Sequence, residues 1–142
     1  MVEFALVIPI FMLILSGILD FGFALFNRMT VINAAREGAR AAVMVSNTAT
    51  IPTVAEASAR AAAANAGLTV SSVTETCLLT HALPASLTPC GNWNNYNAGT
   101  NPTGPQSGDS VSVTVHYTYA TFFPLAFGTT FDLSSTVQMV IE

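Results

Sequence analysis

Lysine is absent from this 142-residue chain, and charge of either sign is scarce: four arginines and eight acids give 8% charged residues and a net charge of -4. A charge fraction about a third of the usual ~25% argues against both an acidic disordered tail and an ordinary freely soluble monomer. The mean hydropathy of +0.55 says the same, so something must cover the apolar surface. Arg28, Arg36, Arg40 and Arg60 all lie in the first 60 residues, balanced there by Glu3, Asp20, Glu37 and Glu56, and no base follows. A phosphate backbone requires a basic patch, so nucleic acid is excluded as a partner. Catalytic signals are missing too. No glycine loop with lysine, no nucleophile elbow and no paired acids beside a cleft can be found, so neither an enzyme nor a cofactor site is expected.

What the chain has in abundance is grease at one end. Phe4 to Phe26 contains fifteen Leu, Ile, Val or Phe and one charge, Asp20. On an insertion scale these contribute about -7 kcal/mol against about +3 for the aspartate, so membrane insertion wins. At 1.5 Å per residue the stretch spans roughly 35 Å, enough for a bilayer core. A buried core helix is the alternative, but a chain this short could hardly surround 23 apolar residues on every side.

The flanks disagree about orientation. Arg28, Arg36 and Arg40 follow the apolar segment, which would place the remainder in the cytoplasm. The only two cysteines, Cys77 and Cys90, stand in a Thr/Ser/Pro-rich stretch and read as a disulfide loop made in an oxidising compartment. Removal of a basic leader ahead of Met1 on the cytoplasmic side would reconcile the two. A zinc site using Cys77, His81, Cys90 and His116, or free thiols, are the other readings of the cysteines.

Helical patterning continues through Arg28 to about Val45, turning from greasy to alanine-rich. Ala34, Gly38 and Ala42 recur every four residues and form a small-residue stripe along which a helix or sheet can approach closely. Pro9, Gly17 and Gly22 are places for a bend. Asn47–Pro52 reads as a linker. Thr53 with Glu56 reads as a capping box opening a second helix that runs to Asn65, with Gly67 to terminate it. Thereafter the period becomes two: Val111–Tyr119 and Phe131–Ile141 alternate apolar with polar residues, as strands with one buried face do. Leu68–Thr76 reads as a weaker strand with a bulge at Ser71 and Ser72. Cys77 to Asp109 reads as surface loop. The expectation is an α+β fold: a long N-terminal helix over residues 1–46, whose alanine-rich half packs on a small antiparallel sheet, and a globular domain over 47–142 that contains this sheet and a second, short helix.

Several residues invite a role. Glu3 and Asp20 are carboxylates in an apolar segment and require partners. Glu3 would otherwise sit at headgroup level and stabilise its own helix terminus. Asp20 would meet Arg28 of an axially shifted neighbour, or be protonated and bonded to a backbone carbonyl. Glu37 and Arg40 suit a local i,i+3 pair. Phe122, Phe123 and Phe127 belong to a stretch too apolar to leave bare and are expected to bury against another subunit. Trp93 and Tyr96 suit packing on the disulfide better than a sugar site, and His116 reads as solvated on the polar face of its strand. With no N-x-S/T acceptor, N-linked glycan is not expected, whereas O-linked sugars around Ser86 to Ser110 fit.

Three motifs in order, VEFALVIP at Val2–Pro9, LDFG at Leu19–Gly22 and NAAREGARAA at Asn33–Ala42, resemble the TadE-like family of tight-adherence pilus proteins and pseudopilins. The resemblance implies a type IV pilin-like architecture, with the helix held in the inner membrane before assembly and in a filament core afterwards. It implies leader removal by a prepilin peptidase, and it gives Glu3 the position of the glutamate that meets a neighbour's terminal amine. Phe23 departs from the basic residue often found after DFG. The expectation is therefore a homo-oligomeric, extracellular filament subunit serving attachment, served by the pilus assembly machinery. Glu3, Pro9, Asp20, Arg28, Ala34, Gly38, Ala42, Phe122, Phe123 and Phe127 are its expected assembly contacts. A minor pseudopilin and a membrane-anchored periplasmic binding module are the alternatives.

Overall fold

A computed structural model describes residues 2–45, 50–79, 86–89, 108–121 and 129–142. Helix α1 runs Val2–Val43 as one element, with Pro9 inside it. Its two halves differ as the sequence does. Phe4 and residues 6–15 are exposed all round, whereas Val31, Ala34, Ala35, Ala39 and Ala42 are buried in the core.

Helix α2, Ile51–Asn65, corrects the capping box. It starts before Thr53, with Thr50 as N-cap and Pro52 in the first turn, where a missing N–H costs nothing. The Thr53 hydroxyl instead donates to the Thr50 carbonyl at 2.9 Å, and Glu56 pairs with Arg60 at 2.8 Å. The expected linker is shorter by two residues as a result. The other end matches the expectation: Gly67 adopts φ 79°, its N–H meets the Ala64 carbonyl, and the Leu68 N–H meets that of Ala63. This pair of bonds closes the helix with the left-handed residue that glycine tolerates best. Ile51, Ala55, Ala59 and Ala63, one residue per turn, are the face of α2 turned inward.

Four antiparallel strands follow: β1 Ser72–Leu79, β2 Ser86–Pro89, β3 Ser110–Ala120 and β4 Thr130–Val140, in spatial order β2-β1-β3-β4. Val111, Val113 and Val115 are fully buried on the inner face, as the alternation demands. The outer face carries hydroxyls in register across three strands, including Thr74, Thr114 and Thr136, with the last two bonded at 2.8 Å. Two readings of the sequence are corrected. No bulge forms at Ser71 and Ser72; the strand simply begins at Ser72, while Leu68 and Val70 before it are buried without being part of the sheet. The expected loop from Cys77 also contains the end of β1 and the whole of β2, whose sequence SLTP has no apolar alternation to announce it. Pro89 is tolerable because β2 is an edge strand.

The three layers meet at Gly38. A Cβ there would lie 3.0 Å from the Ala55 carbonyl oxygen, 3.1 Å from Ala59 Cβ and 3.3 Å from Val113 Cγ1. Absence of a side chain thus lets α1, α2 and β3 close on one point.

Candidate assembly surface

The small-residue stripe is used inside the subunit. Ala34, Gly38 and Ala42, expected to contact neighbouring subunits, are buried against the chain's own second helix and sheet, which corrects that expectation. The sheet expected on this half of α1 is there, joined by α2, and only the further role as subunit contacts falls away. Four-residue spacing gives a stripe, and nothing in the spacing says whose surface lies on it.

The opposite applies below residue 30. Phe4, Leu6, Ile10, Phe11, Ile14 and Ile18 stand exposed, as do Phe21, at 66%, and Met29. Pro9 lies within this surface, its ring exposed. Leu6–Val43 contains a segment long and apolar enough to cross a membrane, with only 11% of its most hydropathic window buried. A core helix of a soluble protein would show the reverse. One side of this greasy half is polar and covered: Ser16, Asp20, Asn27 and Thr30 are all buried. Two of these satisfy themselves along the helix, Ser16 donating to the Leu13 carbonyl at 2.9 Å and Thr30 to that of Phe26 at 3.2 Å. Returning a hydroxyl proton to the preceding turn lets a polar residue sit in an apolar helix without an outside partner.

Asp20 is held by the sheet. It is 4% exposed, and the Tyr119 hydroxyl donates to its Oδ1 at 3.3 Å and lies 3.5 Å from its carbonyl oxygen. Burial first, and then the adjacent carboxylate, push the Tyr119 phenol above its usual range. The Phe131 ring stacks tilted on Tyr119 with centroids 5.0 Å apart. A cavity of about 70 Å³, lined by Asp20, Phe21, Ala24, Thr121 and Phe131, remains beside this contact. The sequence signal for Asp20 was sound, an acid requiring a partner, but Tyr119 was missed because it is 99 positions distant. Arg28 points elsewhere and is exposed. Eight residues turn a helix by about 80° beyond two full turns, so Asp20 and Arg28 do not share a face. With Asp20 enclosed by its own chain, the pairing with a neighbour's Arg28 is set aside.

The remaining expectations fall out as follows. Glu37 and Arg40 form no ion pair with each other; both border an open groove between α1 and α2 together with Met44, Ser58 and Asn65. Cys77 is fully buried on the inner face of β1 and is not a free thiol. Cys90, His81, Trp93, Tyr96, Phe122, Phe123 and Phe127 lie outside the described residues, as does the Glu3 side chain; Glu3 itself is in the first turn of α1. His116 is on the outer face, paired in register with Ser72 and Ser134, so it and Cys77 look to opposite sides of the sheet and cannot share a metal. No group of three His, Cys, Asp or Glu side chains among the described residues is placed to hold a metal ion.

Glu75 is the one awkward acid of the globular half. It faces inward beside Val113 in the register, and its Oε1 is buried without a hydrogen-bond partner. Burial first, then the Glu56 carboxylate, push its pKa upward; its own backbone N–H and Arg60 oppose this. Arg60 is divided, since it also donates to the Val70 carbonyl at 3.0 Å.

No curated protein and no solved structure matches the chain. The three motifs of the long helix do find their counterpart: residues 1–40 match the family model described as TadE-like protein, the family they resemble.

Proposed function

We propose that the chain is a pilin-like structural subunit of a Tad-type pilus, which polymerises through α1 into an extracellular filament serving attachment. One observation carries the reading: the apolar half of α1 is exposed on nearly every side, and the hydrophobic core among the described residues is built from Val31 onward without it. Such a surface requires lipid before assembly and other copies afterwards. The match over residues 1–40 covers this element and supports association with Tad pilus machinery and its peptidase. Glu3, in the first turn, holds the position at which the resemblance puts a glutamate that meets a neighbour's terminal amine, Pro9 lies on the exposed surface of α1, and Arg28 is exposed. Phe122, Phe123 and Phe127 add apolar area to the interface. Catalysis has no part in this role. A Cys77–Cys90 bridge closes the loop between them, as expected of a domain outside the cytoplasm.

A minor pseudopilin that initiates or caps the pilus is the second reading, which the match over residues 1–40 fits as well. Shearing cells and quantifying the chain in the fibres decides between them. Abundance along the fibre supports the bulk subunit, a few copies per fibre the minor one. Absence from fibres, with the uncleaved chain retained in the membrane, would leave only a membrane-anchored binding module.

A further inference from the structure

The β3–β4 pair is longer than the rest of the sheet. β1 ends its pairing at Ser72↔His116, while β3 and β4 continue through Tyr117↔Leu133, Thr118↔Asp132, Tyr119↔Phe131 and Ala120↔Thr130. At about 3.3 Å per residue this hairpin overhangs by roughly 13 Å. Its direction is fixed by the contacts of α1. Gly38 meets Val113, and Asp20 meets Tyr119, so the overhang runs along α1 toward its greasy N-terminal half. Thr121 N–H on the Thr129 carbonyl, 3.2 Å, closes the hairpin at that end.

Two carboxylates punctuate the greasy part of α1, Glu3 just ahead of it and Asp20 six residues before its end at Phe26. Between Glu3 and Asp20 lie sixteen uncharged residues, Phe4 to Leu19. They rise about 24 Å, a little less than the ~30 Å hydrocarbon thickness, so a bilayer that keeps both acids near its faces brings Asp20 to one boundary. The Tyr119 hydroxyl is bonded to Asp20 and therefore lies at the same depth. The sequence between the two strands and at their ends agrees. No charge occurs between His116 and Asp132, and six of the fifteen residues from Tyr117 to Phe131 are aromatic. Tyrosine concentrates in the headgroup layer because its ring is apolar and its tip polar, and Tyr117 and Tyr119 are both in the overhang.

We propose that, while the subunit is held in the membrane, the overhanging end of the β3–β4 hairpin, at Tyr119, Thr121 and Phe131, seats in the interfacial layer of the phospholipid bilayer beside Phe21 and Ala24. The anchor is thus two-part: one helix that spans and one hairpin that rests on the surface. This rests on the membrane-held state of the proposed function and names the ligand of a surface which that reading leaves to neighbouring subunits.

Single-tryptophan reporters test it. In a Trp93→Phe background, the full chain is reconstituted into phosphatidylethanolamine/phosphatidylglycerol vesicles brominated either near the headgroup or near the acyl-chain end. Phe11→Trp reports the helix, Phe131→Trp and Thr129→Trp the hairpin, and Thr74→Trp the upper sheet. Thr129→Trp keeps the test valid if Phe131→Trp disturbs folding, because Thr129 is exposed. The expected result is that the hairpin reporters are quenched roughly twofold more by headgroup-proximal than by chain-end bromine. Phe11→Trp shows the reverse, and Thr74→Trp is unaffected. Hairpin reporters that stay bright while Phe11→Trp is quenched overturn the inference alone. Hairpin reporters shielded only at high protein density show that a second copy covers the surface, and they overturn it too. An unquenched Phe11→Trp overturns the membrane-held state itself, and the inference with it.

Discussion

The hydroxyl of Tyr119 donates to Asp20 Oδ1 at 3.3 Å, tying the end of β3 to the only charged residue in the greasy stretch of α1. A carboxylate in such a helix is costly unless bonded, and a phenol brought by the sheet lowers that cost while fixing where the sheet lies along the helix. The contact is therefore a register mark between the two parts of the subunit.

Removing the phenol oxygen tests this mark. Tyr119→Phe preserves the ring stacked on Phe131 and deletes only the donor to Asp20, so we expect a destabilisation of about 1–2 kcal/mol. Asp20→Asn keeps an acceptor and drops the charge, and should cost less. In a double-mutant cycle read by thermal unfolding in detergent micelles, the two losses should couple. Additive losses would mean that the hydroxyl and the carboxylate do not interact.

At Gly38 the test is steric. A methyl group would meet backbone as well as side chain, at 3.0 Å from the Ala55 oxygen, and backbone cannot rotate away. Gly38→Ala should lower stability by about 1–3 kcal/mol despite alanine's better helix propensity, which alone would favour the substitution by ~1 kcal/mol. An unchanged or raised melting temperature would show that α2 yields at this point. Ala34→Gly and Ala42→Gly probe the same packing from the other side and are expected to be milder.

These residues also show how far the sequence was legible. The two long strands follow from local periodicity, because burial of one face writes period 2 into the chain; the long helix follows from an unbroken apolar and then alanine-rich run, and Gly67 from the left-handed conformation that ends a helix. Asp20 and the Ala34/Gly38/Ala42 stripe were recognisable as groups in want of a partner. The sheet was recognisable as a partner of the stripe, but Tyr119 as the partner of Asp20 and Ala55 of α2 as a neighbour of Gly38 were not, since they are distant in sequence and pairing is decided by how layers stack. The start of α2 was misplaced because Thr53 and Glu56 satisfy a motif that Pro52 overrides: proline fits the first helical turn and pulls the helix start forward. β2 was invisible because a short edge strand draws its order from pairing with β1, and not from its own four residues.

Cysteine chemistry supplies a third expectation. Cys77 is buried in β1, and the proposed bridge to Cys90 closes a loop of about fourteen residues, for which chain-entropy arguments give roughly 3 kcal/mol. Intact mass under denaturing, non-reducing alkylation should show no thiol modified, and two after reduction. Cys90→Ser should then leave Cys77 titratable only upon unfolding, with a lowered melting temperature. Alkylation of both thiols without reductant would refute the bridge.

Glu75 gives stability a dependence on pH. Its folded pKa is raised above 4.5 by burial and by Glu56, so between the unfolded value and the folded one the native state binds more protons than the unfolded state. Stability from this group therefore rises as pH falls through the folded pKa, is fully gained below about 4.5, and is lost again toward neutrality. The contribution is read as a difference between two proteins: Glu75→Gln, which mimics the protonated form, should be more stable than the parent at pH 7 and lose that advantage on acidification. Urea unfolding of the two proteins at a series of pH values measures it. A parent that is the more stable at pH 7 would mean that Arg60 outweighs burial, and that Glu75 is held as a charged partner of α2 and not as a neutral core residue.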